Sequence, residues 1–183
     1  MKPSHRLDQP HGFVAQARLP SPLGPLTAVA TAAGLAGLWF DGQRHHPGPL
    51  QVPQDAGQRW LREAKQVLAR WFDGDEQALA GLALDPQGTA FQRAVWQALR
   101  GIARGRTVTY GELAARLGRP QAARAIGAAV GRNPISLLVP CHRVVGQAGA
   151  LTGYAGGLDR KQWLLTHEAT GVHLPTSAPR RAA

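Results

Sequence analysis

Residues 108–133, VTYGELAARLGRPQAARAIGAAVGRN, place a glycine and a proline between two segments of helical composition. Thr109 can cap a helix that runs to Leu117, and Gly118 can end it, because glycine readily adopts the left-handed conformation that follows many helices. Pro120 can begin a second helix, since proline is tolerated in a first turn. Two short helices joined by a glycine-containing turn form a helix-turn-helix pattern. The pattern predicts a mostly helical second half.

The second of these helices has an almost bare surface. Its small residues are Ala122, Ala123, Ala125, Gly127, Ala128 and Ala129. Long side chains that could read base edges in the major groove are largely missing, and a bare surface suits close approach to the narrow minor groove. A small-residue helix packed inside a core is the alternative. Arg119, Arg124 and Arg132 weigh against complete burial, because an unpaired buried charge is costly.

Charge is distributed unevenly along the 183 residues. Residues 1–90 contain 8 basic and 8 acidic side chains, whereas residues 91–168 contain 11 basic and 3 acidic ones, a net charge of +8. All but one of these 11 are arginine, whose planar guanidinium suits phosphate and base recognition. The asymmetry favours an anion-binding second half, although a solvated basic face that keeps the protein soluble explains the same charge.

The first half predicts a small sheet followed by a helix. Apolar runs separated by Gly and Pro predict antiparallel strands at residues 13–19, 26–32 and 35–40. From Trp60 to Phe72, apolar residues recur at helical spacing, with Asp55 as the N-cap. A further helix is expected at residues 89–99.

These elements predict an α+β fold with a small N-terminal antiparallel sheet and helix, followed by a mostly helical, winged-helix-like domain that contains the helix-turn-helix. The expected domains are residues 12–85 and 89–172, with flexible tails at residues 1–11 and 173–183. No apolar run has the length of a membrane span, and residues 1–12 lack the apolar stretch of a secretory signal. A cytoplasmic protein without membrane contact is expected.

The chain contains one cysteine, Cys141, which excludes an intramolecular disulfide and a cysteine-rich zinc site. An isolated cysteine is often an inert small hydrophobe. Here His142 and Arg143 follow directly, and a positive environment lowers the pKa of a thiol and favours the nucleophilic thiolate. Adjacent residues of an extended chain point to opposite faces, so Cys141 and His142 need a sharp turn or a bridging water to interact.

Residues 140–145, PCHRVV, resemble the active-site signature of the O6-alkylguanine-DNA alkyltransferases. Other segments that resemble this family, in the same order along the chain, are residues 21–26, 109–114, 122–125, 133–134, 153–158 and 163–168. The resemblance is close from about Phe91 to Glu168 and weaker over the N-terminal strands. It implies a DNA repair protein that flips O6-alkylguanine out of duplex DNA and transfers the alkyl group irreversibly to its own cysteine, once per molecule.

The resemblance also implies roles for individual residues. Cys141 would accept the alkyl group, and Glu168 would orient His142, which would draw the proton from the thiol through a water. Asn133 would brace the turn before the active-site segment. Tyr110 would crowd the 3′ phosphate of the target and donate a proton or a hydrogen bond to the departing guanine.

Further residues are implied for DNA and base binding. Arg124 would replace the extruded nucleotide in the base stack. The other expected DNA contacts are Ala122, Ala123, Ala125, Gly127, Arg132 and Arg143, and the expected pocket for the flipped base is lined by Val144, Tyr154, Ala155 and Gly156. Some relatives carry Ser at the position of Ala155, so a hydroxyl contact is absent there and a backbone amide remains.

No cofactor or metal is implied. The implied partner is double-stranded DNA bound through its minor groove by a monomer; activity on O4-alkylthymine and cooperative binding are left open.

Three other classes of function are weighed against this one. A non-catalytic binder of damaged DNA, as in alkyltransferase-like relatives, lacks the acceptor cysteine that this chain has. A helix-turn-helix transcription regulator is disfavoured by the bare second helix, and a fused methyl-sensing domain would need further cysteines. A zinc enzyme is disfavoured because His45 and His46 lie in a Pro/Gly loop without partners at ligand spacing.

Overall fold

The computed structural model describes residues 12–75, 77–79 and 81–171, and the tails expected to be flexible lie outside these ranges. Its three-stranded antiparallel sheet has the order β1-β2-β3. The strands are β1 (Phe13–Leu19), β2 (Leu26–Thr31) and β3 (Leu35–Phe40). All three predicted strands are confirmed, with a difference of one residue at the end of β2.

Helix α1 (Arg59–Phe72) packs against this sheet. Its buried side chains form the predicted apolar stripe: Leu61, Ala64, Val67, Leu68, Trp71 and Phe72. The helix is capped by Gln58, whose Oε1 accepts hydrogen bonds from the backbone N–H of Trp60 at 2.7 Å and of Leu61 at 3.1 Å. The prediction of Asp55 as the cap is wrong, because its carboxylate instead accepts a backbone N–H two residues on, in a turn before the helix.

The second half is mostly helical, and the α+β class is confirmed. Its helices are α2 (Ala90–Arg100), α3 (Tyr110–Arg116), α4 (Ala123–Gly131) and α5 (Leu158–Thr170). A short parallel pairing joins β4 (Val108–Thr109) to β5 (Val144–Val145). This pairing holds the segment after α4 against the start of α3.

Helices α3 and α4 form the predicted helix-turn-helix. Thr109 caps α3 in a capping box, in which its Oγ1 accepts from the Glu112 N–H at 3.1 Å and the Glu112 carboxylate accepts from the Thr109 N–H at 2.6 Å. Gly118 follows with a φ of +67°, a conformation that favours glycine. Pro120 then opens a 3₁₀ turn, Pro120–Ala122, that leads into α4.

The two halves share one hydrophobic core. The N–H of Leu38 in β3 donates to the carbonyl of Pro134 at 2.8 Å, and the N–H of Ser136 donates to the carbonyl of Leu38 at 2.8 Å. The chain just before Cys141 is therefore bonded to the edge of the N-terminal sheet. Among the helices of the described ranges, none is long and apolar enough to cross a membrane.

Candidate active site

Cys141 begins a 3₁₀ turn, Cys141–Arg143, directly after Pro140. The residue is only 5% exposed. Of the two possibilities left open by the sequence, a sharp turn or a bridging water, the structure contains the turn. In such a turn the side chains of adjacent residues do not have to point to opposite faces, so Cys141 and His142 can interact.

Asn133 holds the cysteine from the end of the helix-turn-helix. Its buried Nδ2 lies 3.1 Å from Cys141 Sγ and 2.8 Å from the carbonyl oxygen of Val139, and its Oδ1 accepts from the N–H of Ile135 at 3.0 Å. One side chain thus ties the loop after α4 to the segment that carries the thiol. This arrangement agrees with the bracing role that the resemblance implies.

His142 and Glu168 form a buried pair in which His142 Nε2 lies 2.8 Å from Glu168 Oε1. Burial by itself raises the pKa of Glu168, but hydrogen bonds from His142 and Arg143 outweigh it and lower that pKa to about 2. An ionised carboxylate can only accept, so Nε2 of His142 carries the proton and Nδ1 has the free lone pair. Within the part of the chain that the structure describes, Nδ1 is buried and has no hydrogen-bond partner. Nδ1 is therefore the atom that can take a proton.

Arg143 is the second partner of Glu168. Its Nε and Nη2 donate to the two carboxylate oxygens at 2.9 and 2.8 Å, and its Nη1 donates to the carbonyl of Ile102 at 2.5 Å. The side chain is almost fully buried. The expectation that Arg143 contacts DNA is wrong, because its guanidinium is committed to a carboxylate 25 residues away along the chain.

Burial sets the resting protonation state of the thiol and the imidazole. It raises the pKa of Cys141 above its usual range, and the hydrogen bond from Asn133 and the charge of Lys161 only partly offset this effect. Burial also lowers the pKa of His142, although Glu168 opposes it. At neutral pH the pair is a thiol and a neutral imidazole, which differs from the lowered thiol pKa that the neighbouring His142 and Arg143 suggested. The proton must leave Cys141 during a reaction, and His142 is in the form that can accept it.

Lys161 in α5 is a site residue that the sequence analysis missed. It is fully buried, and its Nζ donates to the carbonyl of Val144 at 2.5 Å and to that of Thr152 at 2.6 Å. Burial lowers its pKa to about 8, while the nearby Cys141 acts in the opposite direction. The lysine joins β5 to the loop at residues 146–157 and places a positive charge near the thiol. A lysine that follows Asp159 and Arg160 on a helix is typical of a surface position, so nothing in the sequence indicated that Lys161 is buried in the site.

The imidazole of His142 lies between two aromatic rings from different halves of the chain. Trp71 of α1 and Tyr154 each approach it edge to face, with ring centroids 6.4 Å away. Arg104 lies over Trp71, 5.2 Å from the ring centroid. The N-terminal half therefore contributes directly to the packing around His142.

An open cleft of about 470 Å³ adjoins these groups, within the size range of ligand pockets. Its lining residues are Arg44, His45, Tyr110, Gly127, Ala128, Gly131, Arg132, Gly153, Tyr154, Ala155, Gly157 and Leu158. Of the expected pocket residues, Tyr154 and Ala155 line it. Val144 and Gly156 do not; both are buried, and their carbonyls accept from Lys161 and Arg160. The Tyr110 hydroxyl donates to the carbonyl of Gly153 at 3.2 Å across the cleft wall.

The bare face of α4 forms one wall of this cleft through Gly127, Ala128 and Gly131. No atom lies within 4 Å of a Cβ built on Gly131, so the wall there is open. Arg124 and Ala125 of α4 and its C-cap residue Arg132 are exposed, and Ala122 and Ala123 are partly exposed. The alternative of a helix fully packed in the core is excluded, because α4 buries only Ile126, Ala129 and Val130. Across the described ranges, no group of three or more His, Cys, Asp or Glu could hold a metal ion.

Residues 90–170 match the family described as 6-O-methylguanine DNA methyltransferase, DNA binding domain. A methylated-DNA–protein-cysteine methyltransferase of Haemophilus influenzae is 42% identical over 149 residues, which cover 81% of this chain and 83% of that protein. The chain belongs to the methylated-DNA–protein-cysteine methyltransferase family. A Salmonella typhimurium methyltransferase of the same name is 60% identical over 101 residues, 55% of this chain and 59% of that protein.

The fold is similar to that of other methyltransferases with known structure. The crystal structure of Mycobacterium tuberculosis OGT in complex with DNA matches with a TM-score of 0.76 and 40% sequence identity, covering 86% of this chain and 94% of that chain. The family to which the sequence motifs pointed is thereby confirmed. The matched residues 90–170 include Cys141, His142, Glu168 and Asn133.

Proposed function

We propose that this protein repairs O6-alkylguanine in double-stranded DNA by transferring the alkyl group to Sγ of Cys141. The observation that carries the proposal is the buried Cys141 held by Asn133 and followed by the His142–Glu168 pair, beside a cleft with a bare helical wall. The methylated-DNA–protein-cysteine methyltransferase relatives support the reaction type. The proposed reaction is carried out by a monomer and needs no cofactor.

The reaction begins with proton removal. The thiol proton passes through a water to Nδ1 of His142, whose imidazolium form is stabilised by the ionised Glu168. Glu168 thereby fixes the tautomer and the orientation of the ring and stays ionised. The thiolate forms only at this stage, because burial disfavours it in the resting site.

The alkyl transfer is a direct displacement. Sγ of Cys141 forms a bond to the alkyl carbon, the bond from that carbon to O6 breaks, and its electron pair stays on guanine. Burial raises the pKa of Tyr110, so its hydroxyl stays protonated, and when the base enters the cleft this O–H leaves the Gly153 carbonyl and donates to the departing base instead. The proton that leaves Cys141 balances the proton that guanine finally gains. The product is a thioether without a leaving group, so each molecule reacts once.

The target base has to leave the duplex to reach the thiol, at a cost of about a few kcal/mol. The small residues of α4 allow close contact with the minor groove, and the exposed Arg124 at its start fills the space left in the base stack. Tyr154 and Ala155 line the cleft that receives the flipped nucleotide.

A burst experiment tests this proposal. Duplex DNA carrying a radiolabelled O6-methylguanine is mixed with a deficit of protein, and label on protein is counted over time. We expect a rapid rise to one methyl per chain and no further transfer, and no label on Cys141→Ala. Tight binding to the damaged duplex without label on the wild-type chain would instead identify a non-catalytic binder of damaged DNA.

A further inference from the structure

The loop after β3 brings the N-terminal half to the rim of the cleft. The backbone N–H of Arg44 donates to the carbonyl of Ala155 at 2.9 Å, in the wall that receives the base. The preceding Gln43 is buried, and its Oε1 accepts from the Phe40 N–H at 2.9 Å and from the Ser136 hydroxyl at 3.0 Å. The loop is therefore fastened to both halves, and Arg44 occupies a built position on the cleft.

Three basic side chains meet at this rim: Arg44 and His45 on the loop, and Arg132 at the end of α4. No acidic residue lines the cleft, and neither arginine forms an ion pair with a carboxylate of residues 12–75, 77–79 or 81–171. Both arginines are exposed. Like charges without a counter-charge repel one another, and an anion placed between them removes that cost.

His45 lies near the positive charges of both arginines. Burial lowers the pKa of His45, and the positive charges of Arg132 and Arg44 lower it further. His45 also has a φ of +64°, a left-handed conformation that is uncommon outside glycine and that recurs at ligand-binding positions. The backbone is thus bent so that two consecutive basic residues of the loop border the cleft.

We propose that Arg44 binds a backbone phosphate of the DNA strand that carries the flipped nucleotide, opposite Arg132. The N-terminal half then completes the DNA site, with α4 on one side of the phosphate and the loop on the other. Gly131 and Ala128 line the cleft beside Arg132 and add little bulk to its wall, which leaves room for a DNA strand. A guanidinium suits this ligand because it donates two parallel hydrogen bonds to phosphate oxygens. The inference rests on the proposed DNA repair function.

The test compares Arg44→Ala with Lys65→Ala, an exposed residue of α1 that removes the same charge away from the cleft. The affinity for an undamaged duplex is measured between about 50 and 200 mM salt. Loss of one phosphate contact reduces the slope of log K against log salt by about 0.9, so the affinity ratio of wild type to Arg44→Ala shrinks about 3.5-fold over this range. Arg44→Lys should keep the wild-type slope.

A second readout separates phosphate binding from a defect in the pocket wall. Transfer is timed from methylated duplex and from free O6-benzylguanine, a base without phosphate. We expect the rate of transfer from duplex, divided by the rate from the free base, to fall in Arg44→Ala and to stay at the wild-type value in Lys65→Ala. An unchanged slope and rate ratio in Arg44→Ala, or equal changes in both variants, would overturn the inference. If the wild type transfers no alkyl group, the proposed function fails, while the salt slope still reports whether Arg44 contacts phosphate.

Discussion

The stability of the fold at acid pH depends on the protonation of Glu168 in the buried active site. Its carboxylate binds His142 and Arg143, and its pKa is lowered from 4.5 to about 2 in the folded protein. A carboxylate with a depressed folded pKa stabilises the fold above its unfolded pKa, and this stabilisation is lost as the pH falls towards the folded pKa. A pKa lowered from 4.5 to about 2 contributes about 3 kcal/mol to the stability at neutral pH, and more than half of this contribution is lost by about pH 3.

The perturbation is Glu168→Gln, which keeps the shape of the side chain and removes its charge. At neutral pH the variant should be less stable than the wild type by about 3–5 kcal/mol, because Arg143 stays buried without its counter-charge. The difference between the two proteins should shrink by about 2 kcal/mol between about pH 6 and pH 3, since protonation removes the charge from the wild type as well.

Urea unfolding followed by tryptophan fluorescence measures both quantities over this pH range. Exposed carboxylates such as Asp75 and Glu112 titrate in both proteins, so their contribution cancels in the difference between the two free energies of unfolding. A stability difference that stays constant from about pH 6 to pH 3 would refute the reasoning, because Glu168 would then have an ordinary pKa. A control variant, Glu63→Gln, alters an exposed ion pair and should change stability by less than about 1 kcal/mol.

Three further changes probe other contacts of the site. Asn133→Ala leaves the Val139 carbonyl and the thiol without their donor and should cost about 1–3 kcal/mol in urea unfolding, with slower alkyl transfer; unchanged values for both would contradict the bracing role. Lys161→Met leaves the carbonyls of Val144 and Thr152 without their donor and should cost about 1–3 kcal/mol in urea unfolding, and an unchanged stability would contradict its role in joining β5 to the following loop. Arg124→Ala should slow transfer from duplex DNA far more than transfer from free O6-benzylguanine, whereas equal slowing of both would count against a role in base flipping.

The sequence predicts best where structure is determined by neighbouring residues. The three strands, the cap at Thr109 and the turn at Gly118 follow from short patterns of apolar spacing, capping side chains and glycine, and all are present. The Asp55 prediction failed at this same level, because Gln58, a weaker cap by preference, lies one residue before the helix and reaches its first N–H groups.

The errors within the site arise from contacts between residues that are distant along the chain. Arg143 next to Cys141 indicated a lowered thiol pKa, and the resemblance implied that it contacts DNA, yet its charge is neutralised by Glu168 on α5. The pKa of the thiol depends on burial in a core that both halves build, which neighbouring residues do not reveal. Lys161 escaped notice for the same reason, since its two carbonyl partners come from β5 and from the following loop.

The central claim is that Cys141 is the alkyl acceptor, and peptide mass spectrometry tests it most directly. The protein is incubated with duplex DNA containing O6-methylguanine, digested, and the peptide that contains Cys141 is sequenced. The structure predicts one added methyl group on this thiol in every reacted chain and none on Cys141→Ser. A methyl group on any other residue, or a folded, DNA-bound protein whose Cys141 peptide keeps its original mass, would contradict the account.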